Sequence, residues 1–330
     1  MAQYFLGVDV GNSKSHALIC DENGIALGVG IDGPGNHESL GKAGFQQVLR
    51  TLTSAALDSA GITGTDITAA GYGIAGYDWS EDEPLIHEVI QSLNFDAPYE
   101  VMNDAGPSLL AGSSNGWGVS VTAGTSVNAR GRDAQGRQAR MTGNGVAFGE
   151  VGGGLELVGR AIRDISTAWT MCGPETMLTE VFIQHTGAKN VEDLLAGIAR
   201  GRYEIQAAAA PLVFQAANAG DAVAQNAVRW LGHGLGKLAC GMIRQLKIAD
   251  LTFDVVLSGS IFQGSPVILE RMQTVVHQLA PQARFVHLHA PPVTGAVMLA
   301  MEQAGVDFRP LRPIILTSAL PMLTIQEKSI

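Results

Sequence analysis

The sequence predicts an α/β protein in which one domain plan occurs twice, so that two related domains face each other across a central cleft. A succession of three strands, helix, strand, helix, strand and helix can be followed twice along the 330 residues. In each copy, a turn of small and hydroxylated residues separates the first two strands, and the aspartate of a second turn follows nine or ten residues later. A plan repeated in this way indicates a duplicated domain, and the space between two domains is a common place for a ligand.

The first copy opens with three short strands. Apolar runs indicate strands at Tyr4–Val10, Ser15–Cys20 and Ile25–Gly30. The turn Asp21-Glu22-Asn23-Gly24 between the last two is a strong hairpin signal. The remaining elements of this copy are predicted as a helix at Leu40–Ala60, a strand at Ile67–Ile74, a helix at Glu81–Leu93, a strand at Tyr99–Met102 and a short helix after Asn103.

The second copy restarts the pattern at Gly116 and carries the larger helical insertion. The chain is mainly helical from Gly149 to about Leu246, where Val223, Ala227, Trp230, Leu231, Leu235 and Leu238 keep one apolar stripe. The other elements of this copy are strands at Trp117–Thr122 and Val127–Gly131, a third strand after the turn Asp133-Ala134-Gln135-Gly136, a strand at Phe253–Leu257, a helix at Val267–Leu279, a strand at Phe285–Leu288 and a helix at Thr294–Gln303.

These elements set the expected domain limits. We expect the first domain over residues 1–115, joined by the helix at 293–305, and the second domain over residues 116–292. The tail at 306–330 contains prolines among apolar residues. Two roles stay open for it, as a cover for a domain surface or as part of an oligomer interface.

Composition excludes several classes of protein. Hydrophobic residues make up 46% of the chain and charged ones 16%, which is typical of a globular protein. The net charge of −10 disfavours nucleic acid and anionic membrane as partners. The three cysteines, Cys20, Cys172 and Cys240, are far apart and odd in number, so neither a disulfide framework nor a zinc site is indicated. The N-terminus lacks a signal-peptide pattern, and we expect a cytoplasmic protein.

The turn after the first strand is a candidate phosphate-binding turn. In Gly7-Val8-Asp9-Val10-Gly11-Asn12-Ser13-Lys14-Ser15, a strand carries an aspartate into a turn of small residues. Backbone N–H groups and hydroxyls of such a turn can point at phosphate oxygens. Lys14 adds a positive charge, and Asp9 can hold Mg²⁺ through water. Taken alone, this turn could equally be an ordinary hairpin.

A second turn of the same kind makes that alternative weaker. Thr122-Ala123-Gly124-Thr125-Ser126 has the same shape at the same place of the second copy. Two small hydroxylated turns at equivalent positions of a duplicated fold are poorly explained by coincidence.

Two further strand ends carry candidate chemistry. Asp104, in Asn103-Asp104-Ala105-Gly106, lies where a strand ends and a helix begins. It is either an N-cap of that helix or a general base that accepts a proton from an attacking hydroxyl. Ser258-Gly259-Ser260 lies at a strand–helix turn of the kind that often shapes an adenosine pocket.

These motifs, in this order over nearly the whole chain, resemble the actin/Hsp70/sugar-kinase superfamily. Within it they are most similar to the BadF/BadG/BcrA/BcrD ATPase family, whose sugar-phosphorylating members include the N-acetylglucosamine kinases. The resemblance implies two ribonuclease H-like (actin-like ATPase) domains, ATP and Mg²⁺ as cofactors, and transfer of the γ-phosphoryl group to a hydroxyl, the 6-OH, of an amino sugar. N-acetylglucosamine is the family default.

The resemblance also implies roles for individual residues. Asp104 matches the catalytic aspartate, and Asn36-His37 resembles the substrate-binding Asn-His after the third strand. The residues that match the ATP-binding motifs are Gly11, Asn12, Ser13, Lys14, Gly124, Thr125, Ser126, Gly259 and Ser260.

The match is incomplete where the family contacts its sugar. The family tends to carry Gly-Trp and then Gly-Asp-Glu-Gly after its second phosphate motif. Here Glu150 stands in place of the aspartate, Val151 replaces the following acid, and the tryptophan is missing. We expect Asn144, Gly145 and Glu150 to contribute to the sugar site. The longer carboxylate leaves the sugar open, with glucosamine or another amino sugar as alternatives.

Three other functions fit these residues less well. An ATPase that drives electron transfer would need cysteines paired for an iron–sulfur cluster, and a kinase of the repressor/open-reading-frame type would need a zinc-binding cysteine cluster. A non-catalytic sugar or nucleotide sensor would not need Asp9 and Asp104. We therefore expect an enzyme that acts on a small amino sugar, as a homodimer without nucleic acid or membrane partners.

Overall fold

The computed structural model describes residues 2–327 and begins with a five-stranded sheet. The elements of this first half are β1 Tyr4–Val10, β2 Ser15–Asp21, β3 Ala26–Asp32, α1 His37–Ala60, β4 Ile67–Ile74, α2 Glu83–Gln91, β5 Tyr99–Asn103 and α3 Ala105–Gly112. The strand order is β3-β2-β1-β4-β5. β1 pairs antiparallel with β2 and parallel with β4, and β4 pairs parallel with β5.

The second half forms another five-stranded sheet. Its elements are β6 Gly118–Ala123, β7 Val127–Arg132, β8 Gln138–Arg140, α4 Gly154–Trp169, α5 Leu178–Thr186, α6 Val191–Ala199, α7 Ala210–Asn218, α8 Ala222–Leu246, β9 Asp254–Ser258, α9 Ile261–Gly264, α10 Pro266–His277 and β10 Arg284–His287. The strand order, β8-β7-β6-β9-β10, repeats that of the first sheet when each half is counted from its own first strand. The predicted fold class, two duplicated α/β units with a helical insertion in the second, is confirmed.

Helices cover both faces of the first sheet. Side chains of α1 and α2 pack on one face around Phe45, Leu49 and Ile86. The chain returns from the second half in α11, Val293–Gln303, which packs on β1 and β4 on the other face. Close approach requires glycine at these contacts, since a Cβ at Gly7 would lie 2.4 Å from the Val297 backbone nitrogen and one at Gly71 would lie 2.2 Å from the Ala296 carbonyl oxygen.

The tail after residue 305 forms one more helix, α12 Arg312–Glu327. It packs on β3, where the Ser318 hydroxyl accepts a hydrogen bond from the Ala26 N–H (3.0 Å) and donates one to the Gly24 carbonyl (3.1 Å). Two side chains of this helix, Ile315 and Ala319, are fully buried in the contact. This part of the tail therefore covers the first sheet, while the last three residues of the predicted tail, 328–330, lie outside the described residues.

Along residues 2–327, no helix combines the length and the apolar character needed to cross a membrane.

Candidate active site

Parallel strands of the first sheet bring the first group of candidate residues to one edge. Asp9 on β1 pairs in register with Gly73 on β4, and Ile74 pairs with Asn103 at the end of β5. The N–H of Asp104 donates to the carbonyl of Ile74 (3.3 Å). The carboxyl ends of β1, β4 and β5 therefore form one edge, which is the usual position of a ligand site in an α/β sheet.

The first candidate phosphate turn is short and closed by its own backbone. The Gly11 N–H donates to the Lys14 carbonyl (3.1 Å), and a Cβ at Gly11 would lie 2.6 Å from that oxygen. The Gly35 N–H donates to the Gly11 carbonyl (3.0 Å) and ties the end of β3 to the turn. Asn12, Ser13 and Lys14 are exposed at the tip, where their polar groups can be reached from the cleft.

The second candidate turn is fastened to a helix. Gly124 donates its N–H to the Ser126 carbonyl (2.9 Å). The first N–H groups of α4 donate back to this turn, from Gly154 to the Gly124 carbonyl (2.8 Å) and from Leu155 to the Thr125 carbonyl (3.0 Å). Thr125 and Ser126 are exposed. The start of α4 thus fixes the turn and leaves its polar side chains accessible.

The second turn and the turn after β9 border a common cavity. Gly259 has φ +98°, and a Cβ there would lie 2.1 Å from the carbonyl oxygen of Ala123, so only glycine allows the two strand ends to meet. The adjoining cavity, about 560 Å³, is lined by residues from both turns, including Gly124, Thr125 and Ser260, and by Phe214 and Asn218 of α7. It has the size and the mixed lining of a nucleotide pocket. Phe214 and Asn218 were missed from the sequence, since α7 lies within the helical insertion and carries no motif.

Asp9, which is buried, and Asp104, which is partly buried, lie at the edge of the first sheet. Burial, and then the charge of Asp104, raise the pKa of Asp9 to about 8. Burial also raises the pKa of Asp104 to about 6, an effect that Arg130 opposes and Asp78 adds to. The Asp104 side chain makes no capping hydrogen bond with α3. Asn103 does so instead, since its Oδ1 accepts from the Ala105 N–H (3.1 Å).

Side chains of the second half reach this pair of carboxylates. The Asn128 amide on β7 donates to Asn103 Oδ1 (2.9 Å) and to Asp104 Oδ1 (3.4 Å). Arg130, on the same face of β7, pairs with Asp78 in the loop after β4. These three side chains, Asp78, Asn128 and Arg130, were not predicted from the sequence. A signal was present for two of them, because polar residues at alternate positions of a strand indicate a face turned away from the core.

Asn36 and His37 lie at the start of α1. Asn36 is buried, caps the helix through the Glu38 N–H (2.8 Å), and donates its amide to Asn12 Oδ1 (2.8 Å). It thereby links the predicted substrate residues to the first phosphate turn. His37 is buried with Nε2 3.6 Å from Asp82 Oδ1. A Cβ at Gly76, whose φ is +81°, would lie 2.5 Å from Asn36 Oδ1, so the loop after β4 also meets this site.

Asn144, Gly145 and Glu150 form a single loop. Glu150 is buried, and its carboxylate accepts four hydrogen bonds: Oε1 from the N–H and hydroxyl of Thr142 (2.6 and 2.8 Å), and Oε2 from the N–H groups of Asn144 and Gly145 (2.8 and 3.0 Å). A carboxylate offers about four acceptor positions. Glu150 therefore holds this loop together, and its acceptor capacity is already used.

Each sheet thus carries a small-residue turn after its first strand, and the first adds the carboxylate pair Asp9 and Asp104. The two related sheets with this strand order have the actin-like ATPase fold. The chain belongs to the BadF/BadG/BcrA/BcrD ATPase family, whose model matches residues 6–300. The family predicted from the sequence is confirmed.

Curated relatives match the chain over nearly their whole length. An N-acetylmuramic acid/N-acetylglucosamine kinase of Clostridium acetobutylicum is 26% identical over 304 residues, covering 91% of this chain and 99% of the relative. An N-acetyl-D-glucosamine kinase of Dictyostelium discoideum is 24% identical over 315 residues, covering 91% and 98%. Among solved structures, a ROK hexokinase of Thermus thermophilus superposes with a TM-score of 0.57 at 17% identity, covering 92% of this chain and 99% of that one. The last likeness concerns the fold alone.

Proposed function

We propose that this protein is an ATP-dependent carbohydrate kinase that transfers the γ-phosphoryl group to the 6-OH of an amino sugar, with N-acetylglucosamine as the first candidate. The family and the two curated sugar kinases support the enzyme class. The observation that carries the proposal is the position of Asp104, a partly buried carboxylate at a strand end whose Oδ1 accepts a hydrogen bond from Asn128 of the other half. A base that both halves help to place is what phosphoryl transfer in a closed cleft requires.

ATP is proposed to lie across the second half with its phosphates between the two turns. Gly259 and Ser260 would shape the adenosine end of the cavity beside α7. Gly124, Thr125 and Ser126 would meet the phosphates from one side. From the other side, Gly11, Asn12, Ser13 and Lys14 would do so, because their turn stands at the end of β1.

Mg²⁺ is the metal ion implied by this chemistry, and the residues present fit it. Asp9 is buried near a second carboxylate, Asp104, whose charge disfavours its ionisation, and a divalent cation would offset that repulsion. Within the described part of the chain, no group of three or more His, Cys, Asp or Glu side chains could hold a metal by itself. Mg²⁺ usually binds through one or two carboxylates, waters and substrate phosphates. We propose that Asp9 holds it through water and that it supplies charge neutralisation to the phosphates.

Asp104 is the proposed general base. Its pKa of about 6 leaves it ionised at neutral pH, yet closer to that pH than an exposed aspartate would be. It would accept the proton of the sugar hydroxyl while the new O–P bond forms and the bond to ADP breaks. Closure of the cleft would exclude water, which would otherwise take the place of the sugar.

The acceptor is proposed to bind between α1 and the second half. Asn36 and His37 would border this space from the first half, and the loop with Asn144 and Gly145 would border it from the second. His37 Nδ1 and Asn128 Oδ1 are buried and have no hydrogen-bond partner among the described residues. Sugar hydroxyls would satisfy such groups, because an unpaired buried polar atom is costly. Glu150 would act through its loop, whose N–H groups it binds.

We propose a first domain over residues 1–115 together with α11, and a second domain over residues 116–292. Its packing on β1, β4 and α3 supports this assignment.

A panel of sugars tests the proposed function. ADP release would be measured with Mg·ATP and N-acetylglucosamine, N-acetylmuramic acid, glucosamine or glucose, and NMR of the product would locate the phosphate. We expect the highest kcat/KM with an N-acetylated amino sugar and a 6-phosphate product. Turnover of ATP that no sugar stimulates would refute a kinase in favour of a simple ATPase, and binding without turnover would indicate a sensor.

A further inference from the structure

A polar bridge joins the loop after β4 to β7 and β8 of the second half. Its centre is the Asp78 carboxylate, whose Oδ1 accepts from the Arg130 guanidinium and from the Asn103 amide (3.2 Å). Arg140 on β8 donates to the backbone carbonyl of Asp78, and its guanidinium lies 5.1 Å from the centre of the Trp79 ring. The loop after β4 is thus held from the second half at three points.

Arg130 is fixed on the second-half side of this bridge. Its side chain is only 8% exposed, and its Nη1 donates to the Met141 carbonyl (3.1 Å) while Nη2 meets Asp78. The planar fork of arginine suits two partners in fixed directions. A guanidinium that lies buried between β7 and the opposite loop needs a counter-charge, and Asp78 supplies it from the other half.

The bridge leads directly to Asp104. Asn103 donates to Asp78 through its amide and accepts from the Asn128 amide through Oδ1 (2.9 Å). Asn128 also meets Asp104 Oδ1 (3.4 Å). A short series of hydrogen bonds therefore connects the pair Asp78–Arg130 with the carboxylate of Asp104.

The neighbouring loop leaves room for the bridge only because it contains glycine. Gly143 has φ +79°, and a Cβ there would lie 3.0 Å from Asp78 Oδ2. Gly143 stands in the loop that Glu150 holds through Thr142, Asn144 and Gly145. The second half thus brings two strands and the candidate sugar loop to the same aspartate.

We propose that Asp78 and Arg130 are positioning residues that place Asp104 when the two halves are together. This inference rests on the proposed function, since it concerns the same base. The pair belongs to neither of the two candidate phosphate turns and acts on Asp104 through Asn103 and Asn128. Because Asp78 comes from the first half and Arg130 from the second, Asp104 takes its working position only in the closed cleft.

The test compares Asp78→Asn, Arg130→Met and the double variant. Small displacements of a reacting group cost up to about 100-fold in rate. We therefore expect each single variant to lose about 10- to 100-fold in kcat, with KM for ATP changed less than about threefold. The double variant should lose no more than the worse single one, because both changes break one bridge.

A matched control is available at the far end of the second sheet. Arg284 pairs with the buried Asp254 (2.9 Å), the first residue of β9, and Ser258 is the last residue of the same strand. Arg284→Gln, at an arginine that is 52% exposed, should lower thermal stability less than the bridge variants and leave kcat unchanged. A purely structural role for Asp78 and Arg130 would give that same pattern.

The outcomes separate this inference from the proposed function. Lack of sugar-stimulated ADP release by the wild type would defeat the proposed function alone. The bridge would then be judged on basal ATP hydrolysis, measured for all variants in parallel. Folded variants with wild-type kcat, or losses that add in the double variant, would overturn the inference. If Arg130→Met does not fold, Arg130→Lys replaces it, since lysine keeps the charge but its single nitrogen cannot occupy both positions from which Nη1 and Nη2 donate to Met141 and Asp78. Full kcat in that variant would also overturn the inference.

Discussion

Replacing Asp9 by asparagine should stabilise the protein while abolishing its activity. Asp9 is 9% exposed, and burial followed by the charge of Asp104 raises its pKa to about 8. In the unfolded chain the same carboxyl ionises near pH 4. At neutral pH the folded state must therefore either bind a proton or bury a charge, and both cost free energy relative to the unfolded chain. Asparagine keeps the shape without that cost.

The size and sign of the effect follow from the pKa difference. Each unit of difference corresponds to about 1.4 kcal/mol. For a folded-state pKa above the unfolded one, the penalty is absent below about pH 4, grows as pH rises, and is constant above about pH 8. Local relaxation reduces the full value, so we expect Asp9→Asn to gain at least about 1 kcal/mol at pH 7.5. For a chain of 330 residues, this gain corresponds to a rise in Tm of about 1–2 °C.

Thermal unfolding without nucleotide or metal, recorded from pH 5 to pH 8.5, tests this reasoning. The wild type should lose stability relative to Asp9→Asn as the pH rises across that range, and the difference in Tm between the two should be smallest at pH 5. Asp254→Asn is the matched control, since Asp254 is also buried but pairs with Arg284, and its loss should lower Tm. An Asp9→Asn variant with an equal or lower Tm and the wild-type pH slope would refute the argument.

Three further predictions concern the base and the nucleotide pocket. Asp104→Asn should lower kcat at least about 100-fold with little change in ATP affinity measured by calorimetry, because it removes a proton acceptor and no donor to the phosphates. In the wild type, kcat/KM should fall about tenfold per pH unit below about pH 6, since the pKa of Asp104 is raised to about 6 and only its ionised form accepts a proton; a rate that is flat down to pH 5 would exclude it as the base. Gly259→Ala should raise KM for ATP and lower Tm, because the new Cβ would lie 2.1 Å from the Ala123 carbonyl oxygen at a residue whose φ is +98°. Gly241→Ala in α8 is the control. A Cβ there would meet nothing within 4 Å, so this change should stabilise the helix by about 0.5–1 kcal/mol.

The order of the strands could be predicted because each strand and turn has a local sequence pattern, an apolar run or a cluster of turn residues. The first strand and both hairpin turns lie where the apolar runs and turn residues put them. The predicted start of α1, roughly at Leu40, lies three residues after the observed start at His37. Gly41, with φ +64°, interrupts the helical backbone near its start, and this break hides the first turn from a periodicity argument. The capping role of Asn36 could have signalled the true boundary.

Contacts between the two halves could not be predicted from the same local patterns. Asp78 and Arg130 are 52 positions apart in the chain and meet only because one follows β4 and the other lies on β7. Phe214 lines the candidate nucleotide cavity from an insertion that has no counterpart in the first half. Side chains of this kind are fixed by the packing of two sheets, which a one-dimensional pattern does not record.

Glu150 is predicted from its motif to contribute to the sugar site, and the structure shows how its carboxylate is used within its own loop. A carboxylate with free lone pairs would be a natural ligand for sugar hydroxyls. Its four hydrogen bonds to Thr142, Asn144 and Gly145 use that acceptor capacity. Asn128, which no motif marked, keeps a buried Oδ1 with no partner among the described residues. Acceptor selectivity should therefore depend more on Asn128 and on the shape of the loop than on the charge of Glu150. Glu150→Gln should accordingly lower kcat/KM for every sugar by a similar factor, since the glutamine NH2 group would face two N–H donors of the loop where the carboxylate accepted two hydrogen bonds.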